Sequence, residues 1–417
     1  MVVQDARMFD LLTSLQFENL NFTVPRIHFG SGRFNEIPGL IQSAGKNILL
    51  VTGKHSFRHS ERFTRLLNEL NKKNLVIYDM IVSGEPSPRT VDEAVQEFHR
   101  KKIDLVLAIG GGSVLDASKA IAGLLPFGNS VMDHLEGVGR GIPYGGPALP
   151  FIAVPTTAGT GSEATKNAVL SVQGVDGFKK SFRHDTLVPM AAVVDPDLLS
   201  TCPADLIAAN GMDAFTQLLE SYVSVRANPF TDALAWSGLR AMNDALIDVF
   251  NEAKSYGRIN NGRGLSAMAY GSLLSGIALA HAGLGSVHGL ASPIGAFFPI
   301  PHGAVCGTLT ARAAKENIDA MLKRDSENGS LKKYAAVGLL LSGRDAHELK
   351  RRDDRLNILV QILNQWTNEM KLKRLGQFGV KEEDLDKIVA NSRGNSMQTN
   401  PIKLEDAEIR SIVTDRL

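Results

Sequence analysis

Through its first two hundred residues the chain alternates two hydrophobic periods, and then one of them stops. Short runs rich in Val, Ile and Leu ("KNILLVTG", "NLVIYDMIV", "IDLVLAIGGG", "PFIAVPTT", "MAAVVDPDL") take turns with helical stretches such as "SERFTRLLNELNKK" and "TVDEAVQEFHRKK". Nearly continuous apolar strands separated by helices belong to a parallel sheet covered on both faces. Later segments, "ADLIAANGMDAFTQLLESYVS", "TDALAWSGLRAMNDALIDVFNEAKS" and "DDRLNILVQILNQWTNEMKLKRL", carry apolar residues at helical spacing, and strand signals nearly vanish. A chain of 417 residues exceeds what one hydrophobic core supports. The expectation is an α/β domain over residues 1–199 with a mostly parallel sheet, joined tightly near residues 197–203 to an all-helical domain over residues 200–417.

Within the helical half, Gly264 to Ala311 contains no Lys, Arg, Asp or Glu, yet it holds His281, His288 and His302. The window is long enough to cross a bilayer. Its repeated Gly, Ser, Pro and His interruptions fit a buried helix and loop better than a span. The composition is that of an ordinary globular protein, 44% hydrophobic and 21% charged, with a net charge of +1. Nothing in it points to nucleic acid or an anionic membrane as a partner. Cys202 and Cys306 cannot build a disulfide framework and lack the paired spacing of a zinc ribbon, which fits a reducing compartment. The first residues, with Asp5, Asp10 and Glu18 and no long apolar core, read as neither signal nor transit peptide, so a cytoplasmic location is expected.

Three strand ends carry chemistry. "LVLAIGGGSVLDASKA" runs from an apolar strand through glycines into a helix, the arrangement that lets backbone approach a phosphate while helix-terminal N–H groups point at it. The spacing is not the GxGxxG of a dinucleotide fingerprint, and a purely structural turn is the alternative. After "FIAVP" comes a second such loop, in which Thr156, Thr157 and Thr160 supply hydroxyls between small residues. The third end, "LLVTGKHSF", offers Gly53 and Ser56. No acidic residue stands there to bind ribose hydroxyls and repel a 2′-phosphate, and Lys54 is near, so both NAD and NADP stay open.

The histidines suggest a cation. Asp213 and Gln217 lie four apart on one face of a helix and could reach one ion. His288 and His302 flank a stretch with Pro293, Pro299 and Pro301, read as a rigid loop that fixes two imidazoles. A carboxylate with imidazoles is a common site for Zn2+ or Fe2+. Read alone, Asp213 could instead be a buried hydrogen-bond acceptor. His281, seven residues before His288 and hence two turns away on the same helical face, could line the site or bond within the core.

Taken in order, "GGGSVLDASK", "PTTAGTGSE", "DPDL", "GMDA" and "GLGSVHGLASPIGAFFPIPHG" resemble the motifs of the iron-containing, metal-dependent alcohol dehydrogenases, and the resemblance covers nearly the whole chain. It implies a Rossmann-like dinucleotide-binding domain followed by an all-α domain, a fold shared with dehydroquinate synthase, with the site in the cleft between them. It further implies reversible hydride transfer between NAD(P) and an alcohol or aldehyde, a divalent metal, and a homodimer or larger assembly. Carried over, Gly111, Gly112 and Ser113 would contact the pyrophosphate and Asp116 would support that loop. Thr156, Thr157, Thr160, Asn167 and Lys179 would flank the nicotinamide half.

The family's ligands are typically one aspartate and three histidines. Asp213, His288 and His302 match, but Gln217 stands where a histidine is expected, and an amide oxygen is the weaker ligand. Ser292 replaces a histidine credited with relaying a proton, a task left to His281 or to water. Related readings are a metal-free reductase like the maleylacetate reductases, or an inactive relative that only binds. Asp213 argues against the first and intact cofactor loops against the second. A dehydroquinate synthase would need phosphate-binding basic residues that are not found.

Overall fold

A computed structural model describes residues 22–42 and 44–417; the N-terminal residues read above for targeting signals lie outside these, apart from Phe22. Six strands, β1 (Arg26–Phe29), β2 (Asn47–Gly53), β3 (Val76–Val82), β4 (Leu105–Gly110), β5 (Phe151–Pro155) and β8 (Ala191–Val194), form one sheet in the order β1-β8-β5-β4-β2-β3. Every pairing in it is parallel. Helices α1 (Ile37–Gln42), α2 (Glu61–Lys72), α3 (Pro88–Phe98) and α4 (Gly112–Leu124) lie between these strands in the sequence. Alternation along the strands divides the side chains between two cores. Leu49, Val51, Val106, Ala108 and Ala153 pack on one face with Val91 and Leu115 of α3 and α4, while Ile48, Leu50, Leu107 and Ile152 pack on the other with Ile37 and Leu66 of α1 and α2. Apolar runs without polar alternation are what a sheet buried on both sides requires.

The remaining strands, β6 (Asn167–Val172) and β7 (Phe178–Arg183), form an antiparallel hairpin that the hydrophobic runs did not reveal. "FKKSFR" has too little apolar character to read as a strand, and its pairing with β6 supplies what its sequence lacks.

From residue 204 the chain is helical: α5 (Ala204–Val223), α6 (Pro229–Asn243), α7 (Leu246–Tyr256), α8 (Gly262–Ala282), α9 (Ser286–Phe297), α10 (His302–Arg324), α11 (Gly329–Ser342) and α12 (Arg352–Glu369). Shorter helices α13 (Leu385–Asn391), α14 (Asn395–Gln398) and α15 (Asp406–Thr414) follow. The architecture is thus a parallel-sheet N-terminal domain and an all-helical C-terminal domain. The charge-free window supplies α8, α9 and the start of α10. By length and composition α8 could cross a membrane, and it is the one such helix among the described residues, but 67% of its most apolar stretch is buried inside the protein.

Two readings of this window are corrected. The residues between His288 and His302 are mostly helix: α9 carries Pro293 inside it, and only Pro299 and Pro301 occupy the turn into α10. His281 and His288 do not share a helical face, because α8 ends at Ala282 and Gly283, with φ of 77°, turns the chain before α9 begins.

Candidate active site

Ligands of open α/β sheets bind beyond the carboxyl ends of the strands, at the point where strand order reverses. Here the chain runs from β2 outward to β3 and then returns to β4 on the other side of β2, so the reversal lies between β2 and β4. The three loops singled out in the sequence leave β2, β4 and β5, which are neighbours. Gly110 O accepts from the Thr156 amide at 3.0 Å, tying two of these loops together. Their contact is close: a Cβ on Gly112 would lie 2.7 Å from Thr160, and one on Gly111 3.2 Å from Thr157.

A cavity of about 330 Å³ opens beside these loops. Gly112 and Ser113 at the start of α4 line it, with Asp116, Thr160, Asn167, Lys179, Gln217, His281, His288, Ser292 and His302. Gly53, Ser56, Gly111, Thr156 and Thr157 are not in its wall. The β6-β7 hairpin brings Asn167 and Lys179 to it. Lys179 Nζ pairs with Glu85 at 3.0 Å, and the Lys179 carbonyl accepts from Ser292 Oγ at 3.1 Å, so the hydroxyl at the expected relay position is held.

Under the cavity floor lies a group that sequence reasoning missed. Lys119, fully buried on α4, points its ammonium at Ser162 O (2.9 Å), Ser162 Oγ (3.0 Å), Thr165 Oγ1 (2.9 Å) and Asn167 O (2.6 Å). Asp116, 3.7 Å from Lys119 Nζ, accepts from Ser162 Oγ, so it braces the loop after β5. Burial lowers the Lys119 pKa to about 8 and raises that of nearby Glu163 to about 7. The "DASK" spacing, three residues on one helix, was the available signal.

Three helices also converge on this cavity. Asp213 comes from the middle of α5, His288 from the first turn of α9 and His302 from the first residue of α10. His288 Nε2 is 3.3 Å and His302 Nε2 3.7 Å from Asp213 Oδ1. Cys306, one turn after His302, completes a set of four donors whose ligand atoms all lie within 4.8 Å of one another. The sequence reading had discounted this cysteine for want of a paired spacing. Gln217 faces the cavity, and its amide oxygen accepts from Ser275 Oγ of α8 at 2.7 Å.

Glu220, also unforeseen, positions His288. Its Oε2 accepts from His288 Nδ1 at 2.6 Å and its Oε1 from the Val287 amide at 2.6 Å, while Asn400 Oδ1 accepts from the Ser286 amide at 3.0 Å. Gly285 has no side chain to cap α9, so the orphan amides of its first turn are satisfied by residues remote in sequence. A carboxylate behind a histidine fixes the ring's tautomer and orientation for a ligand on Nε2.

The electrostatics suit a cation. Burial works to raise the Asp213 pKa, but the His302 and His288 rings bring it down to about 2. His302 is taken down to about 4 by burial and by the Lys179 ammonium. Burial opposes charge on His288 too, yet the Cys306 sulfur, Glu220 and Asp213 raise its pKa well above the usual value. Among the described residues Asp213 has only these histidines as ion-pair partners, and the buried Nδ1 of His302 has no partner. A buried carboxylate with imidazole and sulfur donors fits a borderline divalent metal.

His281 sits apart from this cluster. Its Nδ1 donates to Ile277 O at 2.7 Å, its Nε2 accepts from the Thr23 amide at 3.4 Å, and its ring stacks on Phe22 at 3.9 Å.

Residues 25–196 match the family model described as iron-containing alcohol dehydrogenase, and residues 207–417 match that of the C-terminal part of the Fe-containing alcohol dehydrogenase family. The chain belongs to this family. Alcohol dehydrogenase 4 of Schizosaccharomyces pombe is 32% identical over 397 residues, spanning 94% of this chain and 87% of the relative. The NAD-dependent methanol dehydrogenase of Bacillus methanolicus is 28% identical over 403 residues, spanning 95% and 100%. A crystal structure of a 1,3-propanediol oxidoreductase superposes with a TM-score of 0.85 at 27% identity, covering 96% of this chain and 100% of that one. The protein is an oxidoreductase of the alcohol dehydrogenase class, in a family that uses NAD(P) and a metal.

Proposed function

We propose that Asp213, His288 and His302 hold the divalent ion and that the cavity between them and the start of α4 holds NAD(P) and a small alcohol or aldehyde. When bound, the ion supplies Lewis acidity toward the substrate oxygen and the nicotinamide supplies the hydride chemistry. Gly112 and Ser113 present helix N-terminal amides to the pyrophosphate. Thr160, Asn167 and Lys179 border the nicotinamide end, with Thr156, Thr157, Gly111 and the Lys119 cluster bracing them. Glu220 keeps His288 Nε2 turned to the ion. Ser292 has no titrating group to offer, so the alcohol proton leaves through cavity water along the wall that includes His281. Cytoplasmic residence and homo-oligomerisation complete the reading; both buried cysteines are free thiols, as a reducing compartment allows.

The observation that carries this reading is one cavity whose wall includes both the α4 N-terminus and the two histidines. The test follows reduced-nicotinamide absorbance with a panel of aldehydes, using NADH and NADPH, before and after chelation and after adding back Fe2+ or Zn2+. We expect turnover to be lost on chelation and restored by metal. Asp213→Asn should lose bound metal and at least about 100-fold in kcat, since a Lewis acid contributes several kcal/mol to such a reaction. Near-normal activity and metal content in that variant would overturn the assignment.

A further inference from the structure

We infer that Cys306 is the fourth protein ligand, so that the centre is Asp–His–His–Cys and Gln217 stands outside it. This inference rests on the metal-dependent reading above and concerns which atoms complete it.

The geometry comes first. In a tetrahedral site, N and O ligands at about 2.0–2.1 Å from the ion are roughly 3.3–3.4 Å apart, and a sulfur at about 2.3 Å is roughly 3.5–3.6 Å from each. The separations here are 3.3 and 3.7 Å from Asp213 Oδ1 to the two imidazoles, and 3.7 Å from Cys306 Sγ to His288 Nε2 and to His302 Nε2. Four of the six donor–donor separations thus lie close to tetrahedral values, and all of them are within 4.8 Å. The spacing of Cys306 four residues after His302 on α10 puts both donors on one helical face. Gln217 has the same spacing from Asp213 on α5, but its amide oxygen is engaged by a hydroxyl of α8.

The placement also leaves the site reactive. His288 and His302 are in the cavity wall, whereas Asp213 and Cys306 are behind it, 1% and 0% exposed. The two anionic donors thus form the back of the centre, and a substrate oxygen would add from the cavity side as a fifth ligand. On loading, the thiol proton passes to solvent and one metal–sulfur bond forms, giving a centre in which two ligand charges balance a divalent ion. Thiolate is a soft ligand, so this set favours Zn2+ where imidazole in its place would leave Fe2+ more competitive.

The test uses full-length protein stripped of metal and titrated with Co2+, read by absorbance and by metal content. We expect one equivalent to bind and to produce a thiolate-to-cobalt charge-transfer band in the near ultraviolet. The band should be absent from Cys306→Ser and retained in Gln217→Ala and Cys202→Ser. If Cys306→Ser does not fold, the wild-type spectrum decides by itself together with the Cys202→Ser control. One bound Co2+ without the band, or a band that survives Cys306→Ser, overturns the sulfur ligand and leaves the metal site standing. No Co2+ bound at the centre, with wild type and Asp213→Asn alike, overturns both.

Discussion

Glu220 shows what single side chains do at this site. It never faces the cavity, yet it holds His288 by Nδ1 and the first turn of α9 by the Val287 amide. Glu220→Gln keeps an acceptor for Val287 but disrupts the bond that sets the His288 tautomer. Metal affinity should fall about 10–100-fold, as for other carboxylates that orient a ligand, less than for Asp213→Asn. Equilibrium dialysis would read this, and unchanged affinity would show the bond to be incidental. His281 contrasts with it. Burial lowers its pKa, Nδ1 is committed to Ile277 O, and Nε2 faces the Thr23 amide. A ring held neutral in this way is wall rather than relay. His281→Ala should raise KM while leaving the pH–rate profile in place, and a displaced limb of that profile would assign the proton path to this histidine instead.

Among the elements, the joint between α8 and the loop after β5 sets the distance from sheet to helices. Gly161, with φ of 59°, lies against Gly276 so closely that a Cβ on Gly276 would be 2.1 Å from the Gly161 carbonyl oxygen. Backbone meets backbone, and neither side has a rotamer with which to yield. Gly276→Ala should therefore destabilise the protein by about 2–4 kcal/mol and lower kcat, because Thr160 and Ser162 ride on the displaced loop. Chemical denaturation and steady-state kinetics check the two parts, and a loss under about 0.5 kcal/mol, ordinary for a surface change, would show the joint to be loose.

For the whole molecule, the contact between domains contains a buried ionisable group outside the candidate metal centre. Glu163 lies in that loop, beside Asp195 of the sheet domain and Ser272 of α8. Burial raises its pKa from 4.5 to about 7, so the folded protein keeps a proton that the unfolded chain has already released. Native then binds more protons than unfolded between these values, and the Glu163 contribution to stability falls as pH rises from 4.5 to about 7 and is level above it. Glu163→Gln removes that loss. Its stability relative to wild type should rise across the window by up to roughly 3 kcal/mol. Melts at several pH values would show this as diverging curves, and parallel curves would place the ionisation elsewhere.

How much of this was legible in the sequence differs by feature, for physical reasons. The sheet could be read because β2, β4 and β5 are buried on both faces and spell this out as unbroken apolar runs. The β6-β7 hairpin could not, since "FKKSFR" is a strand by virtue of its neighbour. Two imidazoles of the candidate centre were visible in a charge-free stretch and its carboxylate in a mostly apolar helix before it, where unpaired polar residues need a reason to be buried. Glu220 was not singled out, because its partner His288 lies 68 residues away and no local pattern reports such a meeting. Lys119 and Cys306 did carry local signals, three residues after Asp116 and four after His302, but their other partners lie 43 and 18 residues away. Composition, periodicity and ordered motifs by themselves determined the two architectures and the family, and pointed to the loops after β4 and β5 and to a candidate cation site, all of which depend on local patterns of burial and charge. Which donors meet at one point, and which side of them stays open, only tertiary packing decided, because α5, α9 and α10 must cross before those atoms are neighbours.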